Sequence, residues 1–497
     1  MSRLKTDWHF FRACGRELCE AFFDKLSGGP LGPPLSKGGS RMPDTIAAIA
    51  TAPERSAIGI IRLSGPEAVR AASAVFRPAG GGRLEERGER RLVYGGVYDR
   101  EGNLIDQGLA TWSRGPGSYT GEDTAELQCH GSPAVLALAL EALFAQGARQ
   151  ALPGEFTRRA FLNGKLDLTE AEAVADLIDA ESAAAVHSAA GQLSGALSRR
   201  VAGVYDSLAG LLAHFCAVLD YPDEDIDPFG AETIRTVLAG AEGELTALLE
   251  SYQRGRSLKG GIPCAIVGRP NAGKSSLLNA LVGYDRAIVT AIPGTTRDTV
   301  EERCQLGSVN LRLIDTAGLR ETADAVEQLG VARSREALRQ AELALLVVDG
   351  SASLGPEDTA AMAEAETCPR VLCAVNKSDL PLAVDLEALR RRFPHLAVVS
   401  AARGDGLAEL ERLVEELFPS SRDGAPGELL TNARQADAAR RALEALRGAR
   451  QAQENGMPPD AVLTDVEGAL AALGELTGRS VTEDVTDQIF RRFCVGK

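Results

Sequence analysis

The sequence predicts a multidomain fold, in which an α/β domain is inserted into a discontinuous α-helical domain that follows an N-terminal α+β domain. Three observations predict it. Residues 42–163 mix strand-like runs with Gly-rich turns, residues 256–421 alternate short β-branched runs with helical stretches, and Ala- and Leu-rich segments at 164–255 and 422–497 flank that alternation. A chain of 497 residues is long enough for roughly three domains, each with its own core.

The composition limits the classes of function. Lys and Arg number 54 and Asp and Glu number 69, so the formal net charge is −15. This balance argues against broad nonspecific coating of nucleic acid, so any RNA contact is expected to use a local basic patch. Nine cysteines without a CxxC pair and only five histidines predict neither a disulfide framework nor a zinc site. With no apolar stretch of about 18 residues, we expect a cytoplasmic protein without a membrane segment.

Residues 1–41 are predicted to lie outside the fold. They hold several aromatic residues followed by a Gly-, Pro- and Ser-rich stretch, without the uninterrupted apolar run of a signal peptide. A strongly patterned strand begins only after Met42-Pro43-Asp44. We expect the first 41 residues to be a dispensable extension or to precede the true start.

The α+β and helical segments carry recognisable local signals. Residues 58–63, Ile-Gly-Ile-Ile-Arg-Leu, read as a strand, and Gly-rich turns fall at 80–82 and 115–117. Few helix breakers follow Leu166, and Thr169 with Glu172 predicts a capping box at the start of a helix.

The α/β segment is predicted to form a parallel sheet. Its β-branched runs lie at 264–267, 311–314, 343–348 and 371–375, with helical stretches between them. A Ser-, Asp-, Gly- and Pro-containing linker after Pro419 leads back to helices from Leu429 onward. Helices before and after the α/β segment are therefore expected to pack together.

A phosphate-binding loop follows the first strand of this segment. Residues 268–275, Gly-Arg-Pro-Asn-Ala-Gly-Lys-Ser, match GxxxxGK(S/T) between a strand and the helical run 276–281. In such a loop, successive backbone N–H groups face phosphate oxygens, Lys274 places a cation on the β and γ phosphates, and the Ser275 hydroxyl can coordinate Mg²⁺. The residues predicted to bind the phosphates are Asn271, Ala272, Gly273, Lys274, Ser275 and Ser276.

Three further motifs complete a Ras-like set in the expected order. Asp315, Thr316, Ala317 and Gly318 form DxxG after a strand, where the carboxylate lies near Mg²⁺ and the glycine amide near the γ-phosphate. Asn376, Lys377 and Asp379 form NKxD, in which the carboxylate accepts the N1 and N2 hydrogens of guanine. Ser400, Ala401 and Ala402 are expected to close over the base. The set predicts a GTP site.

The loop between the phosphate-binding loop and DxxG is predicted to cover the γ-phosphate. Thr296, within Gly294-Thr295-Thr296-Arg297-Asp298, is the expected second Mg²⁺ ligand. Leu319 follows Gly318, where the familiar water-orienting residue is Gln. A replacement must come from elsewhere, and Glu321, Asp324 and Glu327 are the candidates. Spacing does not choose among them, and for each one taken singly a charge on a solvated loop is the favoured interpretation.

Over residues 42–497 the chain resembles the MnmE/TrmE family of tRNA-modification GTPases. The resemblance rests on Asp44-Thr45-Ile46, Gly59-Ile60-Ile61-Arg62-Leu63-Ser64-Gly65, Tyr119-Thr120-Gly121-Glu122-Asp123, Glu126-Leu127-Gln128-Cys129-His130-Gly131, Pro153-Gly154-Glu155-Phe156-Thr157, residues 159–168 and the final Phe493-Cys494-Val495-Gly496-Lys497. It implies an N-terminal α+β folate-binding and dimerisation domain, a discontinuous α-helical domain and an inserted Ras-like α/β P-loop G domain.

The resemblance also implies ligands that the residue pattern does not reveal. Folate contacts, to 5-formyltetrahydrofolate or methylene-tetrahydrofolate as one-carbon donor, fall on Arg62, Glu126, Lys165 and Lys497. Cations suit the glutamate carboxylates of folate and a carboxylate suits the donors of a pterin edge. Without the resemblance, each is a charged surface residue. Cys494 is a candidate nucleophile beside Lys497, and a plain structural thiol is the open alternative.

For the G domain, the resemblance implies a K⁺ site and selects one carboxylate. K⁺ falls on Asn271, Thr290, Ile292 and Thr295, where a cation would neutralise charge in the transition state as an arginine finger does. The nucleotide-contacting stretch then includes Thr290, Ala291, Ile292, Pro293, Gly294, Thr295 and Thr296. Glu327 becomes the expected water-positioning residue, with Lys274 as the other catalytic residue.

The resulting hypothesis is a GTPase that cycles as a homodimer. Together with a GidA-type FAD protein, as a heterotetramer, it would install an aminomethyl-type group at C5 of the wobble uridine in certain tRNAs. Two alternatives share the G motifs. A ribosome-assembly GTPase would be expected to end in a Lys- and Arg-rich RNA-binding domain, and a dynamin-like protein would need a basic or aromatic membrane tip, neither of which the sequence offers.

Overall fold

A computed structural model describes residues 44–220, 231–284, 302–307, 309–314, 338–418, 427–480, 483–491 and 493–496. Several predicted site positions lie outside these residues: 290–296, 315–318, Glu327 and Lys497. The same holds for the proposed extension 1–41 and for Glu321 and Asp324. No helix in the described ranges is long and apolar enough to cross a membrane.

The described residues form both helices and strands. The strands are β1 (Ile46–Ile49), β2 (Ser56–Ser64), β3 (Phe76–Pro78), β4 (Val93–Tyr98), β5 (Leu104–Ser113), β6 (Thr124–Gly131), β7 (Arg149–Gln150), β8 (Ile262–Val267), β9 (Glu302–Leu306), β10 (Val309–Ile314), β11 (Leu343–Asp349), β12 (Arg370–Asn376) and β13 (Leu396–Val398). The helices are α1 (Ala68–Val75), α2 (Pro133–Ala145), α3 (Glu155–Leu162), α4 (Leu168–Ile178), α5 (Ala183–Leu193), α6 (Ala196–Asp220), α7 (Ala231–Gly260), α8 (Lys274–Tyr284), α9 (Pro356–Ala365), α10 (Leu386–Arg392), α11 (Leu407–Leu417), α12 (Ala433–Glu454), α13 (Pro459–Thr477) and α14 (Glu483–Phe490).

The chain divides into two compact units. The first comprises the described parts of Met1–Ala175, Leu193–Thr246 and Asp437–Lys497, and the second comprises those of Asp176–Gln192 and Ala247–Ala436. Each unit draws on segments that are far apart in sequence. The predicted multidomain class, with an α/β unit between helical segments, is confirmed.

The N-terminal sheet in the first unit has the strand order β3-β4-β5-β6-β2-β1-β7. All its pairs are antiparallel except β1 with β7, and the predicted strand 58–63 lies inside β2. Its buried core includes Ile61, Leu63 and Leu127 from strands with Leu136 and Leu143 from α2. These strand residues alternate with less buried ones, because successive side chains of a strand point to opposite faces.

The start of α4 differs from the prediction. The capping box consists of Asp167 and Glu170, since the Glu170 N–H donates to Asp167 Oδ1 at 2.9 Å and the Asp167 N–H donates to Glu170 Oε2 at 2.8 Å. Thr169 is already inside the helix, and its hydroxyl donates to Asp167 Oδ1 instead. The predicted pair of Thr169 and Glu172 is therefore wrong by two residues, because an aspartate outside the helix satisfies the first free amides.

The sheet of the second unit has the strand order β13-β12-β11-β8-β10-β9. Its pairs are parallel, as predicted, apart from the antiparallel β9–β10 pair. Only two residues separate Leu306 from Val309, and a connection this short cannot make the crossover that parallel strands require. Strand β9 was not among the predicted runs, and the parallel arrangement of the four predicted runs is confirmed.

Strand β11 is buried along its whole length, since helices cover both faces of the sheet. Leu343, Leu345 and Val347 enter one core cluster, while Ala344, Leu346 and Val348 enter the cluster on the opposite face. A continuous apolar run is the pattern expected of a central parallel strand. The carboxyl ends of β8, β11 and β12 are neighbours in this sheet, and ligands of open α/β sheets bind at that edge.

The end of the chain packs into the first unit. Phe490 and Phe493 have ring centroids 5.5 Å apart, and Phe490 lies 6.3 Å from the ring of Phe161. Gly496 has φ +96°, and a Cβ there would collide with the backbone oxygen of Ile49. A side chain at 496 would therefore push the segment away from the end of β1.

Candidate nucleotide-binding site and a second polar site in the N-terminal sheet

The loop after β8 has a backbone that glycine makes possible. Gly268 and Gly273 have φ of +152° and +94°, and Asn271 has φ +62°. A Cβ at Gly268 would collide with the Val347 backbone oxygen, and one at Gly273 would collide with Nδ2 of Asn376. Two of the motif's glycines are thus required both by conformation and by close approach of neighbouring chain.

Lys274 begins α8 and folds back over the loop. Its Nζ donates to the backbone oxygens of Gly268 at 2.7 Å and Arg269 at 2.8 Å. Burial lowers the pKa of this ammonium. A partly desolvated cation and the amino end of a helix therefore meet at one loop, which is the arrangement that attracts phosphate groups.

The last residue of β12 joins the phosphate-binding loop to the segment after β13. The Asn376 side chain donates from Nδ2 to the Ala272 backbone oxygen at 3.1 Å and accepts from the Ala401 N–H at 3.0 Å. Asn376 is buried, so this carboxamide fixes three loops relative to one another. The structure thereby brings together the predicted residues of the three motifs that it describes.

Asp379 is held by one of the predicted neighbours. The Ser400 hydroxyl donates to Asp379 Oδ1 at 2.7 Å, and this hydrogen bond lowers the pKa of the carboxyl group. Asp379 therefore remains a pure acceptor at neutral pH, as pairing with the N–H groups of guanine requires. Ser275 and Ser276 lie exposed in the first turn of α8, and Asn271 and Ala402 are also exposed.

Sequence reasoning missed Asp349, the last residue of β11. Its Oδ2 accepts from Lys377 Nζ at 2.7 Å and from Arg269 Nη2 at 3.1 Å, and its Oδ1 accepts from the Ser351 hydroxyl at 2.6 Å. Burial raises the pKa of this carboxyl, but the hydrogen bonds from Lys377 and Ser351 outweigh burial and bring it to about 2. The sequence did contain a signal for this residue, because an aspartate at the end of an otherwise apolar, buried strand is unusual unless its charge has partners.

The N-terminal sheet carries the second site. Arg62 on β2 lies opposite Glu126 on β6, and Arg62 Nε donates to Glu126 Oε1 at 3.0 Å. The guanidinium carbon is 5.8 Å from the ring centroids of both Tyr119 and Phe156. Two of the residues that the family resemblance implied for folate therefore form an ion pair flanked by aromatic rings.

The loop that carries Tyr119 is held on several sides. The Ser64 hydroxyl donates to Glu122 Oε2 at 2.7 Å, and Arg159 Nη1 donates to the same oxygen at 2.9 Å. The Asn163 side chain donates to the Thr120 backbone oxygen at 2.7 Å, and Lys165 Nζ donates to the Pro116 backbone oxygen at 3.0 Å. The sequence analysis gave no role to Glu122, Arg159 or Asn163 beyond their place in the family motifs. In the structure, their hydrogen bonds hold the loop that carries Tyr119 beside Arg62.

Cys494 is exposed, whereas Cys129, Cys264, Cys304, Cys368 and Cys373 are buried. Its backbone oxygen accepts from the Gly154 N–H at 3.3 Å. Gly154 immediately precedes α3, two residues before Phe156. The end of the chain thus reaches the helix that contributes one ring beside Arg62.

A Gly-rich loop between strand and helix, a lysine folded over it, and an NKxD carboxylate at the same sheet edge define a P-loop GTPase. Family models match two parts of the chain, the GTP-binding protein TrmE N-terminus over residues 45–165 and the MnmE helical domain over residues 168–494. The chain belongs to the MnmE family of tRNA modification GTPases.

Full-length relatives support this assignment. The chain is 46% identical over 456 residues to the tRNA modification GTPase MnmE of Symbiobacterium thermophilum, covering 91% of this chain and 99% of the relative. It is also 46% identical over 467 residues to the MnmE of a Roseiflexus species, with the same two coverages. Among solved structures, the G domain of the T. maritima FeoB iron transporter is 25% identical and covers 32% of this chain and 98% of its own, with a TM-score of 0.24.

Proposed function

We propose that this protein hydrolyses GTP in order to modify C5 of the wobble uridine of tRNA, as a homodimer that acts with a GidA-type FAD protein. The observation that carries the proposal is the similarity to tRNA modification GTPases over 91% of the chain, which includes the N-terminal and helical parts as well as the G domain. A chain that shared only the GTPase switch with its relatives would match over the G domain alone.

The residues available for GTP are those of the three joined loops. Lys274 and the loop amides would bind the phosphates, and Asp379 would accept the N–H groups of guanine. The Ser275 hydroxyl, with Thr296, would hold Mg²⁺, and the Asn271 carboxamide, with Thr290, Ile292 and Thr295, would hold K⁺. Oxygen donors of this kind fit both ions, and Asn271 and Ser275 are exposed on either side of Lys274. When bound, the cations would neutralise charge on the phosphate oxygens.

Glu327 is the proposed water-positioning group. Glu327→Ala is expected to lower kcat about 100-fold at saturating GTP while leaving the Kd for GDP unchanged, because GDP binding requires no attacking water. Glu321→Ala and Asp324→Ala are the matched controls, since they remove carboxylates from the same segment. A normal rate for Glu327→Ala, or an equal loss in either control, would show that Glu327 is not the water-positioning residue.

The proposed K⁺ site predicts a cation dependence of the rate. K⁺ is expected to accelerate GTP hydrolysis by the wild-type protein far more than Na⁺, measured as phosphate release at constant ionic strength.

The polar site of the N-terminal sheet is the proposed folate site. Arg62 and Glu126 present a donor and an acceptor beside two aromatic rings, and a formyl-tetrahydrofolate offers carboxylates, donor-rich edges and a flat ring. Lys165 and Lys497 are the further cations proposed for its carboxylates. Cys494 stays a candidate nucleophile or structural thiol.

Arg62→Ala is expected to weaken binding of 5-formyltetrahydrofolate at least about tenfold in calorimetry of the full chain. Arg77→Ala is the matched control, because Arg77 also lies over a tyrosine ring, that of Tyr98 at 4.1 Å, elsewhere on the same sheet. Equal affinities for the wild type and Arg62→Ala would remove this site from the proposal. GTP hydrolysis without folate should be normal in both variants.

Mass spectrometry of tRNA nucleosides tests the whole proposal. Cells that lack the protein are expected to lose the C5-substituted wobble uridines and to regain them when the wild-type gene is restored. Unchanged wobble uridines together with accumulating ribosomal precursors would favour a ribosome-assembly GTPase instead. The Glu327→Ala protein should fail to restore the modification if hydrolysis drives it.

A further inference from the structure

A single carboxylate, that of Asp349, contacts both the phosphate-binding loop (residues 268–275) and the guanine-reading segment (residues 376–379). Asp349 Oδ2 accepts from Arg269 of the former and from Lys377 of the latter, at 3.1 and 2.7 Å. These two cations approach the same oxygen from loops that follow different strands, β8 and β12. Asp349 itself ends β11, the strand that lies between them in the sheet.

The position of this carboxylate is fixed by its own strand. Asp349 is buried, with a relative exposure of 7%, and its Oδ1 accepts from both the hydroxyl and the N–H of Ser351. The following residue, Gly350, donates its N–H to the Asn376 backbone oxygen at 2.8 Å. A buried charge whose every oxygen is hydrogen-bonded is a rigid anchor, and removal of that charge leaves two cations without their shared partner.

Lys377 needs such an anchor. Its backbone has φ +66°, a conformation that a lysine adopts only when surrounding contacts impose it. Asp379, the guanine-reading carboxylate, is two residues further along the chain, so the path of the backbone at Lys377 decides where that carboxylate lies. Arg269, the second partner, lies in the loop whose backbone oxygens hold Lys274 Nζ.

We propose that Asp349 is a positioning residue that couples the phosphate-binding loop to the guanine-reading segment, so that recognition of the base and of the phosphates depend on each other. It acts through Arg269 and Lys377 and contacts no nucleotide itself. This link is distinct from that of Asn376, whose carboxamide bonds to backbone atoms of Ala272 and Ala401.

Asp358 provides a matched control. Asp358 is also buried; its Oδ1 lies 3.3 Å from Arg269 Nε, and its Oδ2 accepts from the Gly355 N–H at 2.9 Å. Asp349→Asn and Asp358→Asn each remove one negative charge beside Arg269 while preserving side-chain volume. Only the first removes a charge that is shared with the guanine-reading segment.

In the full chain with Mg²⁺, Asp349→Asn is expected to raise the Kd for GDP about tenfold and to accelerate GDP dissociation similarly, whereas Asp358→Asn stays within about threefold of wild type. A double-mutant cycle of Arg269→Ala and Lys377→Ala separates positioning from a merely structural role. In the wild-type background, the change in Kd for GDP in the double variant should differ by at least about threefold from the product of the two single changes. In the Asp349→Asn background, the change in the double variant should equal that product.

Two results would overturn the proposal. One is a Kd for GDP in Asp349→Asn that equals the wild-type value. The other is a coupling factor between Arg269 and Lys377 that is the same with and without the charge at 349, accompanied only by a lower unfolding temperature of the nucleotide-free protein. If Asp349→Asn does not fold, the cycle in the wild-type background still tests the proposal. Independent effects of Arg269→Ala and Lys377→Ala on the Kd for GDP would contradict a coupling of these two residues through Asp349.

Discussion

Lys274→Ala is expected to lower kcat for GTP hydrolysis by about three orders of magnitude. The Lys274 ammonium already lies over the loop, donating to two backbone oxygens, and its burial, which weakens hydration, lowers its pKa. A cation in such a place stabilises the charge that develops on the phosphate oxygens more than an exposed one could, because the effective dielectric is low. Preorganised charges of this kind typically contribute about 10²–10³ in kcat.

The measurement is phosphate release at saturating GTP, beside the unfolding temperature of the nucleotide-free protein. Arg412→Ala is the matched control, because Arg412 is an exposed cation of α11 whose partners are Glu409 and Glu416 on the same helix. It should hydrolyse GTP normally. Hydrolysis by Lys274→Ala within about tenfold of wild type, in a protein that still binds GTP, would show that the loop amides and bound cations suffice without this lysine.

Asp379→Asn is expected to exchange guanine for xanthine as the preferred base. The carboxylate offers acceptors to the two N–H groups of guanine, whereas a carboxamide offers one acceptor and one donor. The Ser400 hydroxyl, which donates to Asp379 Oδ1 at 2.7 Å, would retain the amide oxygen and leave the NH₂ group for the ligand. That NH₂ group opposes the N2 amino group of guanine but pairs with the oxygen that xanthine carries there.

We expect the Kd for GDP to rise about 100-fold and the Kd for XDP to fall, since unpaired polar groups in a recognition site discriminate strongly. Competition of both nucleotides against a fluorescent guanine nucleotide measures the exchange. Asp405→Asn removes an exposed carboxylate from the segment that adjoins Ser400 and should leave both affinities unchanged. Retained guanine preference in Asp379→Asn would mean that backbone groups read the base.

Much of the nucleotide site could be predicted because its signals are local. The glycines at 268 and 273 adopt backbone conformations that other residues resist, and the lysine and serine after them begin a helix. An unbroken apolar run likewise predicted strand β11. In each case the residue type and the backbone conformation are linked within a few positions, so the sequence contains the information.

The errors arose where several local solutions satisfied the same pattern. Thr169 with Glu172 fits a capping box as well as Asp167 with Glu170, and only the hydrogen bonds identify the second pair. The antiparallel edge strand β9 was missed altogether, because its residues Glu-Arg-Cys-Gln-Leu include none of the β-branched types that mark a strand.

By itself, the sequence determined that this chain contains a P-loop GTPase domain between helical segments, since each motif needs its residue types at fixed short spacing. Only the tertiary structure decided that Asp349 joins Arg269 to Lys377, and that Arg62 pairs with Glu126 between two aromatic rings. The physical reason is strand pairing and register. They bring together side chains that are 28 to 80 positions apart, and no periodicity within one segment specifies which charge on another segment will lie opposite.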